Sequence, residues 1–402
     1  MVSISQQQQD AIRGLMSRAV ESNTLPALFC GVTDHNGEIF MHQTGRKVLG
    51  DPLSDRLDEN AVFWICSQTK LITSIAAMQL IEQGKIQLNT LAREILPELA
   101  NPIIVTARDA DGKPTATASA KNPITFGQLL NHSSGLEYPQ SGAAYGSYPY
   151  ETSSAWFNKL QGSLPGPLLK FEPGSDFAYG FSTDCVGFIV ERIAGKSLDQ
   201  YFKDHIFSPL GITSASFYLT ADLKERRLPL SVRNSENELE KWNNQTEIIN
   251  QDPETTNVHF GGVGLYSPLK DYLAILRHLL QIKTGKAANP ILSAASVAVL
   301  FKPTLNVPAA NSLAKMLGMP EGSTQFSTGQ MVTTTDFPGR RKKGTGAWGG
   351  WASTSYLIDP TTGIAAVFGT QLAPGLADFD VTYENLWSEV EQALYADLEN
   401  EA

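Results

Sequence analysis

Serine and lysine three positions apart on a helix place a hydroxyl and an amine one turn apart on the same face. A neutral amine held there can take the hydroxyl proton, so the serine can attack a carbonyl without a histidine. The 402-residue sequence contains this spacing three times, as Ser67-Gln-Thr-Lys70, Ser267-Pro-Leu-Lys270 and Ser312-Leu-Ala-Lys315. About one or two such matches arise by chance at average Ser and Lys usage, so context must choose among them. Ser267 precedes Pro268 and a helical pattern, which reads as a helix cap with proline at the first helical position. Ser312 lies in a Pro/Ala/Asn-rich stretch with no strong apolar element before it. Ser67 differs from both: Val62-Phe-Trp-Ile-Cys66 leads into it, and a mostly apolar helix over 67–83 follows.

That setting would do two things. A buried helix start aims backbone N–H groups and the positive dipole end at the serine oxygen. An apolar surround disfavours the ammonium and is expected to lower the lysine pKa. An unperturbed lysine, near pKa ~10.4, is neutral only about once in 2,500 at pH 7, so a drop of several units is expected. A capping serine with a lysine reaching for solvent has the same spacing, and position alone does not separate the two.

The elements around this motif can be read from periodicity. Ala11 to Val20 forms an amphipathic helix. Ala27 to Thr33 and Glu38 to His42, joined by Asp34-His-Asn-Gly37, form a hairpin. Residues 101–123 read as an inserted hairpin or loop. Residues 138–166 carry Tyr138, Tyr145, Tyr148, Tyr150 and Trp156 and form either a functional loop or a surface loop packed on its own aromatics. Residues 222–258 are polar and read as a solvated excursion. Trp351 to Ile358 and Ile364 to Gln371 form an antiparallel pair, and a helix over 381–398 closes the chain. The expected fold is α/β (α+β): an antiparallel sheet built from both termini and flanked by helices, with a helical lobe beside it. It would be one domain, with the α/β lobe near 1–65 and 290–402 and the helical lobe near 66–289.

Composition excludes several functions. Lys plus Arg total 31 against 41 Asp plus Glu, a formal net charge of −10, which argues against a nucleic-acid partner. The cysteines Cys30, Cys66 and Cys185 form neither a disulfide framework nor a metal-binding pattern, and the six histidines show no ligand spacing. No apolar stretch approaches the ~18–20 residues that span a bilayer. With no basic, apolar leader, the expectation is a soluble, cytoplasmic protein with no membrane association.

Beyond single motifs, the chain resembles the β-lactamase-like serine enzymes. These include class C β-lactamases, D-alanyl-D-alanine peptidases, family VIII carboxylesterases and acyltransferases of the lovastatin pathway. The resemblance rests on Phe63-x-x-x-Ser67-x-Thr-Lys70, Ile124-Thr-Phe-Gly-Gln-Leu-Leu-Asn-His132-Ser-Ser-Gly135-Leu136, Glu172-Pro-Gly to Tyr179-Gly-Phe-Ser-Thr-Asp184, Phe260-Gly-Gly-Val-Gly264 and Trp348-Gly-Gly-Trp351, in that order. It implies the β-lactamase/transpeptidase-like fold, Ser67 as nucleophile, Lys70 as its base and Tyr179 as proton shuttle. The backbone amides of Ser67 and Trp351 would form the oxyanion hole. Trp348, Gly349 and Gly350 would line the substrate, with His132 architectural. Tyr138, Tyr148 and Phe181 are the expected aromatic contacts. Arg340-Arg-Lys-Lys343 is either a solvated strand edge or a site for a substrate carboxylate.

Two departures shape the implied activity. Phe181 stands where β-lactamases carry an asparagine, and Trp348 stands where they carry a lysine. Both favour an esterase or acyltransferase over a β-lactamase. The Tyr-Gly-x-x-x-Asp spelling and Gln371-Leu-Ala-Pro374 lean toward the acyltransferases. The expected substrate is a small ester or thioester acyl donor, with an alcohol acceptor and an acyl carrier as candidate partners; no cofactor and no metal are implied. An amidase or β-lactamase, and a catalytically inactive binding homologue, remain as alternatives.

Overall fold

The computed structural model describes residues 2–110, 112, 114–138, 150–242, 248–374, 379–396 and 398. Its main sheet draws β1 (Leu28–Asp34) and β2 (Glu38–Thr44) from the start of the chain. Five more strands come from the end: β3 (Thr324–Phe326), β4 (Met331–Thr333), β5 (Gly346–Gly350), β6 (Thr354–Asp359) and β7 (Ile364–Gly369). The order is β3-β4-β5-β6-β7-β1-β2, antiparallel throughout. Two aspartates build its tight turns. Asp34 accepts the N–H groups of Asn36 and Gly37 (2.6 and 3.0 Å), and Asp359 those of Thr361 and Thr362 (3.0 and 3.1 Å), the local bonding for which aspartate is favoured in turns.

Helices cover both faces, so β1, β6 and β7 are buried along their whole length. Alternation along β1 sorts its side chains between two cores. Leu28, Cys30 and Val32 join Ile12 and Met16 of α1 (Gln6–Glu21) and Trp387, Val390 and Leu394 of the terminal helix Val381–Tyr395. Phe29 turns to the other face, with Leu273 and Leu276 of the helix Leu269–Lys283. A β-carbon at Gly31 would lie 2.9 Å from Leu273 Cδ2, so this face admits the helix only over a glycine.

The helical part is organised around α2 (Thr69–Glu82), in which every residue from Thr69 to Leu80 is buried. A helix enclosed all round has no polar face to orient it, so its ends and neighbours fix it. Among those neighbours is α3 (Ser182–Ala194), which stops at Gly195 in the left-handed region. Among the described residues, no helix is long and apolar enough to cross a membrane.

Three readings change. Ser267 is not a helix cap: it lies in the short strand Tyr266–Pro268, paired with Val62–Trp64, and Pro268 occupies the cap of the helix Leu269–Lys283. Ser312 and Lys315 lie within the helix Val307–Met316, where Lys315 is exposed. The described part of residues 222–258 is not wholly solvated. Leu228, Leu230, Ile249 and Val258 are buried, and Ser231–Arg233 adds a strand beside Leu372–Ala373. The hairpin expected within 101–123 is present, as Ile103–Arg108 paired with Pro114–Ser119.

Within the Arg340–Lys343 run the two arginines are bound to the chain's own carboxylate, while Lys343 is exposed. Both Arg340 and Arg341 hold the fully buried Glu391 carboxylate, at 2.5 and 2.6 Å. Burial alone would raise the Glu391 carboxyl, but Arg341 and Arg340 outweigh it and bring it down from 4.5 to about 2. A carboxylate depressed in the folded state contributes stability above its unfolded pKa and loses it as pH falls toward the folded value. Glu391→Ala should cost about 3–5 kcal/mol of unfolding free energy by denaturant titration, because it strands two arginines. Glu391→Gln should flatten the pH dependence of stability between about pH 4.5 and 2.

Candidate active site

The strand Val62–Trp64 delivers the nucleophile and is clamped at its end. The Gln371 side chain accepts Trp64 N–H (2.9 Å) and donates to Trp64 C=O (3.2 Å), and Ile65 N–H donates to Leu265 C=O (3.0 Å). Cys66 then turns the chain at φ +46° into the short 3-10 turn Cys66–Gln68, which runs into α2. Among the described residues six non-glycines have positive φ. Three are asparagines, which tolerate it; the others are Cys66, His132 and Ser353. All three flank the Ser67 cleft, which is where backbone strain is commonly held for function. Ser67 is the second residue of that turn, where first-turn N–H groups have no acceptor within the helix.

Lys70 Nζ lies 3.1 Å from Ser67 Oγ, 3.0 Å from Tyr138 OH and 2.8 Å from Gly262 C=O. An ammonium donates to all three. A neutral amine donates to two and accepts the Ser67 proton, so both states fit the same heavy-atom positions. The expectation of a depressed lysine does not hold. Burial does push the ammonium down, but Tyr138, Tyr179 and Asp184 outweigh it, and the net shift is upward. Asp184 acts by its charge and is fixed at the same residue: its carboxylate accepts Gly262 N–H at 2.7 Å, and Gly262 C=O accepts a hydrogen bond from Lys70. A β-carbon on Gly262 would sit 2.7 Å from Asp184 Oδ2, so the bridge requires glycine.

Tyr179 flanks Lys70, with Nζ 4.7 Å from its ring centroid, and its hydroxyl accepts the Trp348 indole N–H at 2.8 Å. Trp348 therefore supports the tyrosine as well as facing the cleft. His132 packs on Tyr179 at 4.8 Å between centroids; burial and then the Lys70 charge hold it well below its usual pKa, so it is a neutral packing residue. Gly180 brings the two tyrosines together. Its missing side chain leaves room for Leu136 C=O and Glu137 Cα, 2.4 and 2.6 Å from an ideal β-carbon, so Tyr138 and Tyr179 converge from two crossing segments.

The register of β5 with β4 ends at Ala347, which leaves Trp348–Gly350 paired on one side only, with β6. Gly350 faces the nucleophile turn, where a β-carbon would lie 2.4 Å from Ile65 C=O; Gly349 would meet Thr354 C=O at 2.8 Å. These glycines serve the chain's own packing as well as leaving room for a substrate. Trp351 follows directly, its ring between those of Trp64 (6.1 Å) and Trp242 (5.7 Å).

Other expected contacts fall elsewhere. Phe181 is 4% exposed and packs edge-on against buried Trp156 at 5.5 Å, so it belongs to the helical core because it precedes the first turn of α3. Tyr145 and Tyr148 lie outside the described residues. Tyr138, expected as a substrate contact, lies within hydrogen-bond distance of Lys70. Trp242 and Gln371 escaped assignment as site residues. A lone tryptophan in the charged run Glu238 to Lys241 was the available signal for the first; nothing local marks the second.

The family model described as Beta-lactamase matches residues 12–391, and the chain belongs to that family. Lovastatin esterase of Penicillium rubens is 30% identical over 374 residues, spanning 88% of this chain and 90% of the relative. Monacolin J acid methylbutanoyltransferase of Aspergillus terreus is 28% identical over 400 residues, 94% of each chain. Among solved structures, a variant of simvastatin synthase from Aspergillus terreus covers 100% of both chains, with TM-score 0.81 at 25% identity. The fold is the β-lactamase/transpeptidase-like one.

Removing the Tyr138 hydroxyl takes one acceptor from a buried cation. Tyr138→Phe should therefore move the rising limb of kcat/KM on a neutral activated ester toward lower pH, because the first of the groups that raise Lys70 is gone. Because Lys70 is held protonated, the base form gains population as pH rises. For a neutral ester, kcat/KM should climb from about pH 7 toward about pH 9; a plateau already reached near pH 6 would contradict the upward shift.

Proposed function

We propose that the protein transfers acyl groups through a covalent ester on Ser67, taking them from a small ester or thioester and giving them to water or an alcohol. The 3.1 Å contact between Ser67 Oγ and Lys70 Nζ carries this reading. Lys70, Tyr179 and Tyr138 lie together as one proton-holding set. After the set loses a proton to solvent it can accept the one on Ser67 Oγ. The oxygen then attacks the carbonyl carbon, and the carbonyl electron pair moves to its oxygen, facing the amides of Ser67 and Trp351. Each such donor is typically worth ~10²- to 10³-fold. Collapse breaks the bond to the leaving oxygen or sulfur, which takes a proton from Tyr179. Water or an alcohol gives its proton to the set as it attacks the acyl carbon, and collapse breaks the bond to Ser67 Oγ, which takes that proton back from the set.

The two named relatives, an esterase of lovastatin and a methylbutanoyltransferase, support a small secondary-metabolite ester as substrate. A thioester donor makes an acyl carrier a candidate partner. Both lobes act as one unit, since Lys70 and Trp351 come from different parts of the chain. The three cysteines are free and buried, which fits a reducing cytoplasm. A β-lactam is a poor candidate, because Trp348 replaces the cation that would meet its carboxylate.

The test is intact-mass detection of the acyl-enzyme. An activated ester should add one acyl group to the wild-type chain and none to Ser67→Ala, and Lys70→Ala should lose at least about 10²-fold in turnover. Nitrocefin should be cleaved far more slowly than p-nitrophenyl esters. Wild-type turnover in Lys70→Ala, or no adduct with any ester, would overturn the reading.

A further inference from the structure

Two tryptophans at the end of β5 send their rings to different company. Trp348 meets Tyr179 (5.0 Å) and Phe326 (5.3 Å). Trp351 meets Trp64 (6.1 Å), itself stacked on Tyr266 (6.5 Å), and on its other side Trp242 (5.7 Å). Trp64 is buried, while Trp351 and Trp242 are only partly so. The aromatic row therefore runs from the core behind Ser67 out to solvent and ends at Trp242.

The position of Trp242 is built by strand pairing. Its N–H donates to Leu230 C=O at 2.9 Å. It follows the strand Leu239–Lys241, which pairs with Ser231–Arg233 and through it with Leu372–Ala373. That last strand lies next to Gln371, the residue that clamps Trp64. The sequence leading into it, Glu238-Leu-Glu-Lys-Trp242, is charged at three of the four other positions, so the indole is a local apolar surface in polar company.

The tetrahedral carbon on Ser67 has three further substituents to place. The oxyanion points to the Ser67 and Trp351 amides, and the leaving oxygen must reach the Tyr179 hydroxyl, beside Trp348. For the remaining substituent, the acyl chain, the row that passes through Trp351 is an apolar surface beside the oxyanion amide. We propose that Trp242 is the outer wall of the acyl pocket, and that this pocket selects esters whose acyl chain is apolar and longer than acetyl. The inference rests on the acyl-enzyme reading above and adds a residue that determines acyl specificity.

The test is a chain-length series of p-nitrophenyl esters, acetate to octanoate, on wild type, Trp242→Ala and Trp242→Phe. In Trp242→Ala, kcat/KM for octanoate should fall about 10-fold relative to acetate, the worth of part of a buried apolar contact. Trp242→Phe should retain most of the wild-type preference. A parallel series of acetates with different alcohols should rank identically in all three proteins. An unchanged chain-length profile in Trp242→Ala, or a change confined to the alcohol series, overturns the assignment. Acylation of Ser67 by any ester of the series, read by mass, checks the underlying reading separately; its absence with every ester in wild type overturns both.

Discussion

One buried nitrogen sets the terms for the site. Lys70 Nζ must touch a hydroxyl that can give up a proton, a carbonyl that can only accept one, and a phenol that can do either. Each contact arrives from a different part of the chain. Ser67 comes one helical turn away, Gly262 comes from a loop almost two hundred residues on and is held by Asp184, and Tyr138 comes from the segment that crosses Gly180. A shift in any of the three would leave a charged group buried without a partner, which is far more costly than the hydrogen bond itself.

Holding that geometry has costs that are visible in the backbone. Cys66, His132 and Ser353 lie in the left-handed region, at about 1–2 kcal/mol each for residues with a β-carbon. Surrounding contacts offset this. Gln371 clamps the strand before Cys66, Ala178 N–H donates to His132 C=O (3.0 Å), and Ser353 Oγ donates to Leu372 C=O (2.8 Å). The glycines of the site act in the same sense. Gly180, Gly262 and Gly350 each let one backbone segment approach another closer than a side chain would allow.

Charge is distributed just as economically. The two arginines nearest the catalytic strand in sequence are spent on Glu391, and the position that could have carried a lysine on β5 holds Trp348, whose N–H serves Tyr179. The cleft walls named here are therefore aromatic, with Lys70 as the cation at the centre of the proton transfers. Such a surface suits a neutral, apolar ester better than an anionic one.

The sequence by itself determined the class of chemistry and the scaffold that holds it. Choosing Ser67 over Ser267 and Ser312 needed only local context, because an apolar run before a buried helix is a local pattern. The two-ended sheet was legible for the same reason: alternation and Asp-led turns act within a few residues. Tertiary structure alone decided the rest. The upward shift of Lys70 depends on Tyr138, Tyr179 and Asp184 arriving beside it, against the desolvation that apolar neighbours implied. Phe181 became core and Tyr138 a lysine partner, although both are aromatics in cleft-forming motifs. Arg340 and Arg341 found Glu391 some fifty residues away. In each case the deciding contact joins residues far apart in sequence, and side-chain type and spacing carry no record of which distant group the folded chain will bring within 3 Å.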